Sequence, residues 1–436
     1  MPYIRGDAPV PDLSLYRSVQ ARPHQRPDIA VGLALSGGGS RSFHYGLGVM
    51  LALEQIEDSS GRHALDACDY LTAVSGGALA GGGYLAALRD HTLSADADAS
   101  FHLASAWHEH LAPSLSIRYG FPMLRSMFSP RIWFSPLNRG DRLEYDLAEH
   151  LFGYPSGSPT LRDCFIPAAD TTTPVSLPML FCTAALYNSV HQMSFTPDLL
   201  DTMQVTGYTH RMKQVEVDTA TALFDMPFSV AVKASASFPV VVPPTLLRCT
   251  VGGRKAYLPV WDGGMVDNIS YQTAVWVLAQ DTAARRVLLV SDADQIALRS
   301  LYRRRRSGLG LAALVRVPVG GLDSHRSQRY SEIATYCRAY DIQPVYLGYD
   351  RLLDSAACAV TLPRWRRQAA YTYLLNRMSD TDAPLSPEDR RLLFEVLADV
   401  RTRFGIWPQE RELLILTARY IVREQEATLR KVLFGE

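Results

Sequence analysis

An α/β protein with a mainly parallel sheet, covered by helices on both faces, is the fold class this sequence predicts. Three strand–loop–helix units carry the expectation. In the first, Ile29–Leu35 places Ile29, Val31, Leu33 and Leu35 on one pleat face and Ala30, Gly32 and Ala34 on the other. Apolar residues on both faces suit an interior strand under helices. Gly37, Gly38 and Gly39 follow, and then an apolar helical stretch over 44–57. In the second unit, a short apolar strand over 69–74 runs into Ser75-Gly76-Gly77 and a helical segment, 78–88. In the third, a strand over 257–261 meets Asp262-Gly263-Gly264, with a helix expected over 270–279. Met179–Leu186, Arg285–Ser291 and 345–348 read as further strands, and Ser386-Pro387-Glu388-Asp389 opens a C-terminal helix with a cap, an N1 proline and an acidic first turn. A second C-terminal helix is expected over 410–430.

The loops hold the chemistry. A triglycine after a buried strand lets the main chain approach a ligand, with amides pointing where the next helix N-terminus also points. Such a nest favours negative charge, whether a phosphate or an oxyanion formed during catalysis. Ser75, between strand and helix and flanked by very small residues, has the form of a nucleophile elbow, although serine is also an ordinary helix N-cap. Asp262 at a strand end can point into a site at the carboxyl edge of the sheet, where ligands of such sheets bind. An isolated Asp-Gly would be a turn. Gly81, Gly82 and Gly83 lie inside the second helix, each costing about 1 kcal/mol relative to alanine. The helix backbone is therefore expected to press close to a neighbour.

Together these pieces resemble the patatin-like phospholipase family. Gly37-Gly38-Gly39-Ser40-Arg41 matches its glycine-rich oxyanion loop, Ser75-Gly76-Gly77 its serine elbow and Asp262-Gly263-Gly264 its aspartate motif. Ala234-Ser235-Ala236-Ser237-Phe238-Pro239 looks like the alanine–serine–proline segment ahead of that aspartate. The matches fall in the family's order over residues 29–291. Ser42 stands where the loop usually ends in glycine, and Ala73 where the elbow usually begins with one. A positive φ at Ser42 would cost about 1 kcal/mol.

The resemblance implies a three-layer α/β/α patatin-like sandwich and a serine carboxylic-ester hydrolase without cofactor. Ser75 is the expected nucleophile and Asp262 its base. Gly37, Gly38, Gly39 and Gly76 are the expected oxyanion donors, and the substrate is a phospholipid or lysophospholipid. Arg41 is expected either to meet a lipid phosphate or to fix the loop.

Competing readings explain less. A Ser75–Asp262–His325 triad has the α/β-hydrolase order, but His325 follows no recognisable strand. His44 reads as a packed first-turn residue. A dinucleotide fingerprint over Gly37, Gly39 and Ser42 lacks its third glycine and leaves Ser75 and Asp262 without a role. His108-Glu109-His110 has the wrong spacing for a metal helix, and no metal is expected. Two further classes keep the scaffold: a catalytically weak lipid-binding protein, and a membrane-degrading effector regulated through its C-terminal helices.

The 436 residues divide into a polar lead over 1–28, a catalytic domain over 29–300 and a mainly helical region over 301–436. A lid or insertion is expected at 101–140, where basic and aromatic residues mix and would suit peripheral membrane contact. Arg303–Arg306 with the apolar run 308–314 is a second such pairing. Zero formal net charge gives no sign of a nucleic-acid partner. Six cysteines without paired spacing, and no apolar leader, point to a cytoplasmic protein with reduced core thiols. The uncharged run 71–88 contains the elbow and reads as strand plus buried helix rather than a membrane span.

Overall fold

The computed structural model describes residues 10–17, 26–94, 101–113, 137–168, 170, 177–189, 191–239, 242–293, 300–301, 326–352, 359–360, 364–379, 384–398, 400 and 405–436. His325, Arg303–Arg306, the run 308–314 and most of the expected lid (114–136) lie outside these residues.

A ten-stranded sheet forms the frame. Its strands are β1 (Ile29–Leu35), β2 (Tyr70–Val74), β3 (Met179–Leu186), β4 (Gln192–Ser194), β5 (Val205–His210), β6 (Lys213–Glu216), β7 (Thr245–Val251), β8 (Arg254–Asp262) and β9 (Arg285–Ser291), with β10 (Ser300–Leu301) and β12 (Ala359–Val360) pairing apart from it and β11 (Ile342–Tyr346) closing one edge. The order is β11-β9-β1-β2-β3-β8-β7-β5-β6, with β4 on β3. The five strands from β11 to β3 are mutually parallel. The rest, beginning where β8 joins β3, is antiparallel. β4 to β7 come from a stretch where the sequence pattern picks out no strand, since their apolar positions alternate with polar ones over only a few residues. The β7–β8 turn is Gly252-Gly253, both at positive φ (56° and 74°), the two-residue hairpin geometry that glycine adopts without strain.

Among the described residues, the helices of eight residues or more are α1 (Ser40–Leu53), α2 (Gly76–Leu93), α3 (Arg139–His150), α4 (Phe228–Ser235), α5 (Tyr271–Gln280), α6 (Arg326–Ala339), α7 (Arg364–Ser379), α8 (Pro387–Leu397), α9 (Pro408–Glu424) and α10 (Glu426–Leu433). α1, α2 and α4 cover one face of the sheet, while α5 and α6 cover the other. The alternation in β1 follows this division. Leu35 meets α1 and α2 near Gly46 and Gly81, whereas Gly32 lies against Leu278 of α5. The run 71–88 is β2 and the start of α2, and no helix among the described residues is long and apolar enough to cross a membrane. The five described cysteines are buried and free.

The triglycine of α2 sits where the sequence argument places a close approach. Side chains at Gly81, Gly82 and Gly83 would begin 3.2 Å from Leu180, 3.1 Å from Phe152 and 3.0 Å from Leu111. α8 opens as expected, with the Ser386 hydroxyl accepting from Asp389 N–H at 3.1 Å.

The region 301–436 is continuous with this core. It supplies β11 to the sheet edge and lays α9 along α1, so that α1 is buried on every side from Arg41 to Leu53. At Gly48 the two helices nearly touch through their backbones. A Cβ there would stand 2.8 Å from Ile415 Cα and 2.8 Å from Ala418 Cβ. Gly48→Val is expected to force the helices apart and to cost about 1–3 kcal/mol in urea unfolding. An unchanged midpoint would show that α9 gives way freely.

Candidate active site

The carboxyl ends of β1, β2 and β8 bring the three sequence motifs together. β2 ends at Val74, and the chain turns through Ser75 with φ 53° and ψ −116° before α2 begins at Gly76. A non-glycine residue held in this region stores strain, which a nucleophile elbow uses to lift its hydroxyl out of the sheet. No side-chain capping bond ties the Ser75 hydroxyl to α2, so the N-cap reading of this serine is not realised. Ser75 N–H donates to Ser235 Oγ at 2.9 Å, and the Ser235 hydroxyl donates to the Thr183 carbonyl at 2.5 Å. The alanine–serine–proline segment thus ends α4 beneath the elbow and holds the turn from below.

Asp262 closes β8, opposite Ala184 of β3. The side chain is 2% exposed. Its Oδ1 accepts from Gly264 N–H at 2.8 Å, and the Ser75 hydroxyl is among the groups that favour its charged form. Burial pushes this carboxyl up to about 7, against the pull of those two groups. The fold therefore brings Ser75 and Asp262 near one another, which chain position alone does not require.

The glycine-rich loop is held against the elbow by lack of side chains. A Cβ on Gly76 would run into the Gly39 carbonyl, and one on Gly77 into the Leu35 carbonyl. Gly38 and Gly39 take φ of 139° and 62°, which frees their N–H groups from the strand ladder. Neither amide donates to another group among the described residues. Gly37 differs from the sequence expectation: its N–H donates to the Asn268 carbonyl at 2.7 Å and is not available to an oxyanion. Its lack of a side chain makes room for the Asn268 carboxamide, into which a Cβ would run.

Asn268 is a residue the sequence reading missed. Its main chain fixes Gly37, and its Oδ1 would lie 2.8 Å from a Cβ on Gly264, beside Asp262 Oδ1. One residue therefore clamps the glycine loop to the aspartate turn. The sequence carries no signal for it, because the contact spans two distant loops.

Arg41 also departs from one expectation. It is 1% exposed and points inward, donating from Nε to the Ala293 carbonyl at 2.7 Å and from Nη1 to the Val400 carbonyl at 3.0 Å. Of the two expected roles, this geometry is loop fixation and not contact with a lipid phosphate. The guanidinium lies under Gly38, 2.9 Å from where a Cβ would stand. Ser42 is a regular α1 residue whose hydroxyl bonds the Gly39 carbonyl at 3.1 Å, so the strain considered for it does not arise. Ala73 is fully buried in β2.

His44 is packed in the first turn of α1, with Nδ1 against the Ser40 carbonyl at 2.6 Å. Burial pushes it down to about 4, so it stays neutral. His108, Glu109 and His110 lie on a π-helical turn, Trp107–Leu111. Among the described residues no cluster of three or more His, Cys, Asp or Glu side chains could hold a metal ion.

Comparison with known proteins follows this geometry. A family profile described as patatin-like phospholipase matches residues 33–275. No match is found among curated proteins. Among solved structures, human GIVD cytosolic phospholipase A2 is similar at 12% identity and a TM-score of 0.46, over 94% of this chain and 63% of that one. The same human protein in complex with methyl γ-linolenyl fluorophosphonate gives 13% identity and a TM-score of 0.40, over 94% and 59%. The chain thus spans about three-fifths of the length of these structures. The family match takes in more than half of the chain, from β1 through α5, and includes the glycine loop, the elbow and the aspartate turn. The chain belongs to the patatin-like phospholipase family.

Proposed function

We propose that this protein hydrolyses acyl esters of phospholipids or lysophospholipids, with Ser75 as nucleophile and Asp262 as general base. The observation that carries this is the convergence, at the N-terminus of α2, of the half-buried Ser75 on its strained turn and the buried Asp262 carboxylate, whose charged form the Ser75 hydroxyl favours. Family membership supports lipid acyl hydrolysis as the reaction class. Asp262 takes the hydroxyl proton as Ser75 Oγ attacks the ester carbonyl. The N–H groups of Gly38, Gly39 and Gly76 receive the oxyanion. On collapse, Asp262 returns the proton to the departing alcohol, the lysophospholipid or glycerophospho-alcohol. Water then attacks the acyl-serine, losing its proton to Asp262, which passes it to Ser75 Oγ as the fatty acid leaves.

An aspartate of ordinary acidity would be a weak base. Burial brings Asp262 near 7, where proton transfer is matched to neutral solution. The same burial opposes stability. A carboxyl raised in the folded state binds its proton more tightly than in the unfolded chain, so its contribution to stability falls as pH rises between about 4 and 7.

Three outcomes are expected. Ser75→Ala and Asp262→Asn each lower hydrolysis of a short-chain p-nitrophenyl ester on the order of 10⁴-fold or more, with unchanged circular dichroism, while His325→Gln retains activity. A fluorophosphonate probe labels Ser75. Loss of activity in His325→Gln would favour the triad, and failure of labelling would favour the non-catalytic lipid-binding class.

The ionised carboxylate is the working form, so kcat/KM rises with pH through about 7 and then levels off. Asp262→Asn, inactive, unfolds at a higher temperature than the wild type at pH 8. A flat profile would remove Asp262 as the base.

Ser235→Ala leaves the Ser75 N–H without its buried acceptor, an expected loss of about 1–3 kcal/mol. With the elbow loosened, kcat falls about tenfold or more while KM changes little. Unaltered kcat would mean that the turn holds itself.

A further inference from the structure

Among the described residues, the antiparallel half of the sheet has one uncovered face, and its composition is unlike that of a solvated sheet. Residues paired across β7, β8 and β3 share faces in the observed register: Leu246 with Pro259, Arg248 with Tyr257, Thr250 with Lys255 and Ala185 with Trp261. The opposite face carries Leu247, Cys249, Val260 and Asp262, all buried. On the open face Tyr257 is 61% exposed, Tyr187 46% and Leu246 39%. Tyr187 stands edge-on to Trp261 with ring centroids 4.3 Å apart, and its N–H bonds the Pro259 carbonyl at 3.1 Å. At the hairpin tip Lys255 lies on this face and Arg254 follows the opposite alternation, both exposed and without an ion pair among the described residues. Glu216, the carboxylate carried by β6, is already held by Arg248 at 2.8 Å.

The position of this face relates it to Ser75. β8 runs antiparallel to β3, and Asp262 lies level with Ala184. Going back from Val260, level with the end of β3 at Leu186, to Lys255, the hairpin rises roughly 17 Å past that carboxyl edge, at about 3.3 Å per residue. That is the edge on which the elbow opens.

We propose that the open face of the β7–β8 hairpin, with Tyr187 beside it, is the surface by which this protein docks on an anionic phospholipid membrane. Tyrosine and tryptophan rings, apolar in body and polar at one end, suit the headgroup boundary, and unpaired cations attract an anionic surface. Docking there sets the lipid surface beside the entrance to Ser75. This rests on the lipid hydrolase reading above and adds to it the surface and the charge class of the lipid.

The test uses the full chain with Ser75→Ala, which leaves lipid intact, sedimented with vesicles of phosphatidylcholine with or without phosphatidylglycerol. Binding is expected to the anionic vesicles, weakening as salt is added. Arg254→Gln with Lys255→Gln lowers the partition coefficient about tenfold or more, and Tyr257→Ser lowers it independently. The same surface substitutions on the Ser75 background keep wild-type turnover of a soluble p-nitrophenyl ester and lose turnover of phosphatidylglycerol vesicles. Equal partition of all variants, equal binding to neutral vesicles, or conversion of a dimer to a monomer by Tyr257→Ser would overturn the proposal, the last assigning the face to a second copy. Vesicle binding by a protein that never hydrolyses the soluble ester would overturn the hydrolase reading and keep the docking surface.

Discussion

Backbone touching backbone without side chains between is the constraint on which this molecule depends. The glycine loop after β1 and the elbow after β2 belong to adjacent parallel strands, and such strands lie about 4.8 Å apart. At that spacing two loops can share one site only if neither carries a Cβ at the contact. Gly76 against the Gly39 carbonyl, and Gly77 against the Leu35 carbonyl, meet this requirement. The strain of Ser75 at φ 53° is held in place by the same contact and by the Ser235 hydroxyl below.

Around that contact the protein accepts cost in exchange for chemistry. Asp262 is withdrawn from water, and its charged form is favoured by the Gly264 N–H and the Ser75 hydroxyl. A nearby arginine would stabilise the charge and return the carboxyl to its ordinary range, where it would abstract protons poorly. Arg41, the obvious candidate by sequence position, instead spends its donors on carbonyls of Ala293 and Val400. Its charge is used to hold main chain together.

The C-terminal region enters the site through that same arginine. Val400 follows α8, and α9 lies on α1, the helix that the glycine loop opens. Loop, α1 and C-terminal helices are therefore one packed unit, and the Gly48 crossing leaves little slack within it. A shift of α9 would reach the loop through contacts without needing a separate hinge.

Strands Ile29–Leu35, Met179–Leu186 and Arg285–Ser291 were legible residue for residue, because buried parallel strands are apolar on both faces and bounded by turn residues. The order and spacing of the glycine loop, Ser75 and Asp262 were legible too, since each motif is local. What sequence did not reveal is long-range. The antiparallel strands β4 to β7 follow from pairing on β3, through β8 in the case of β5 to β7, and their short alternations carry no such mark. The engagement of the Gly37 amide by Asn268, the inward turn of Arg41, and the support of Ser75 by Ser235 all join loops remote in the chain. Local composition determines which residues can stand at a strand end. Only the folded sheet decides which of those ends meet, because hydrogen-bond partners and dielectric surroundings are properties of neighbours in space.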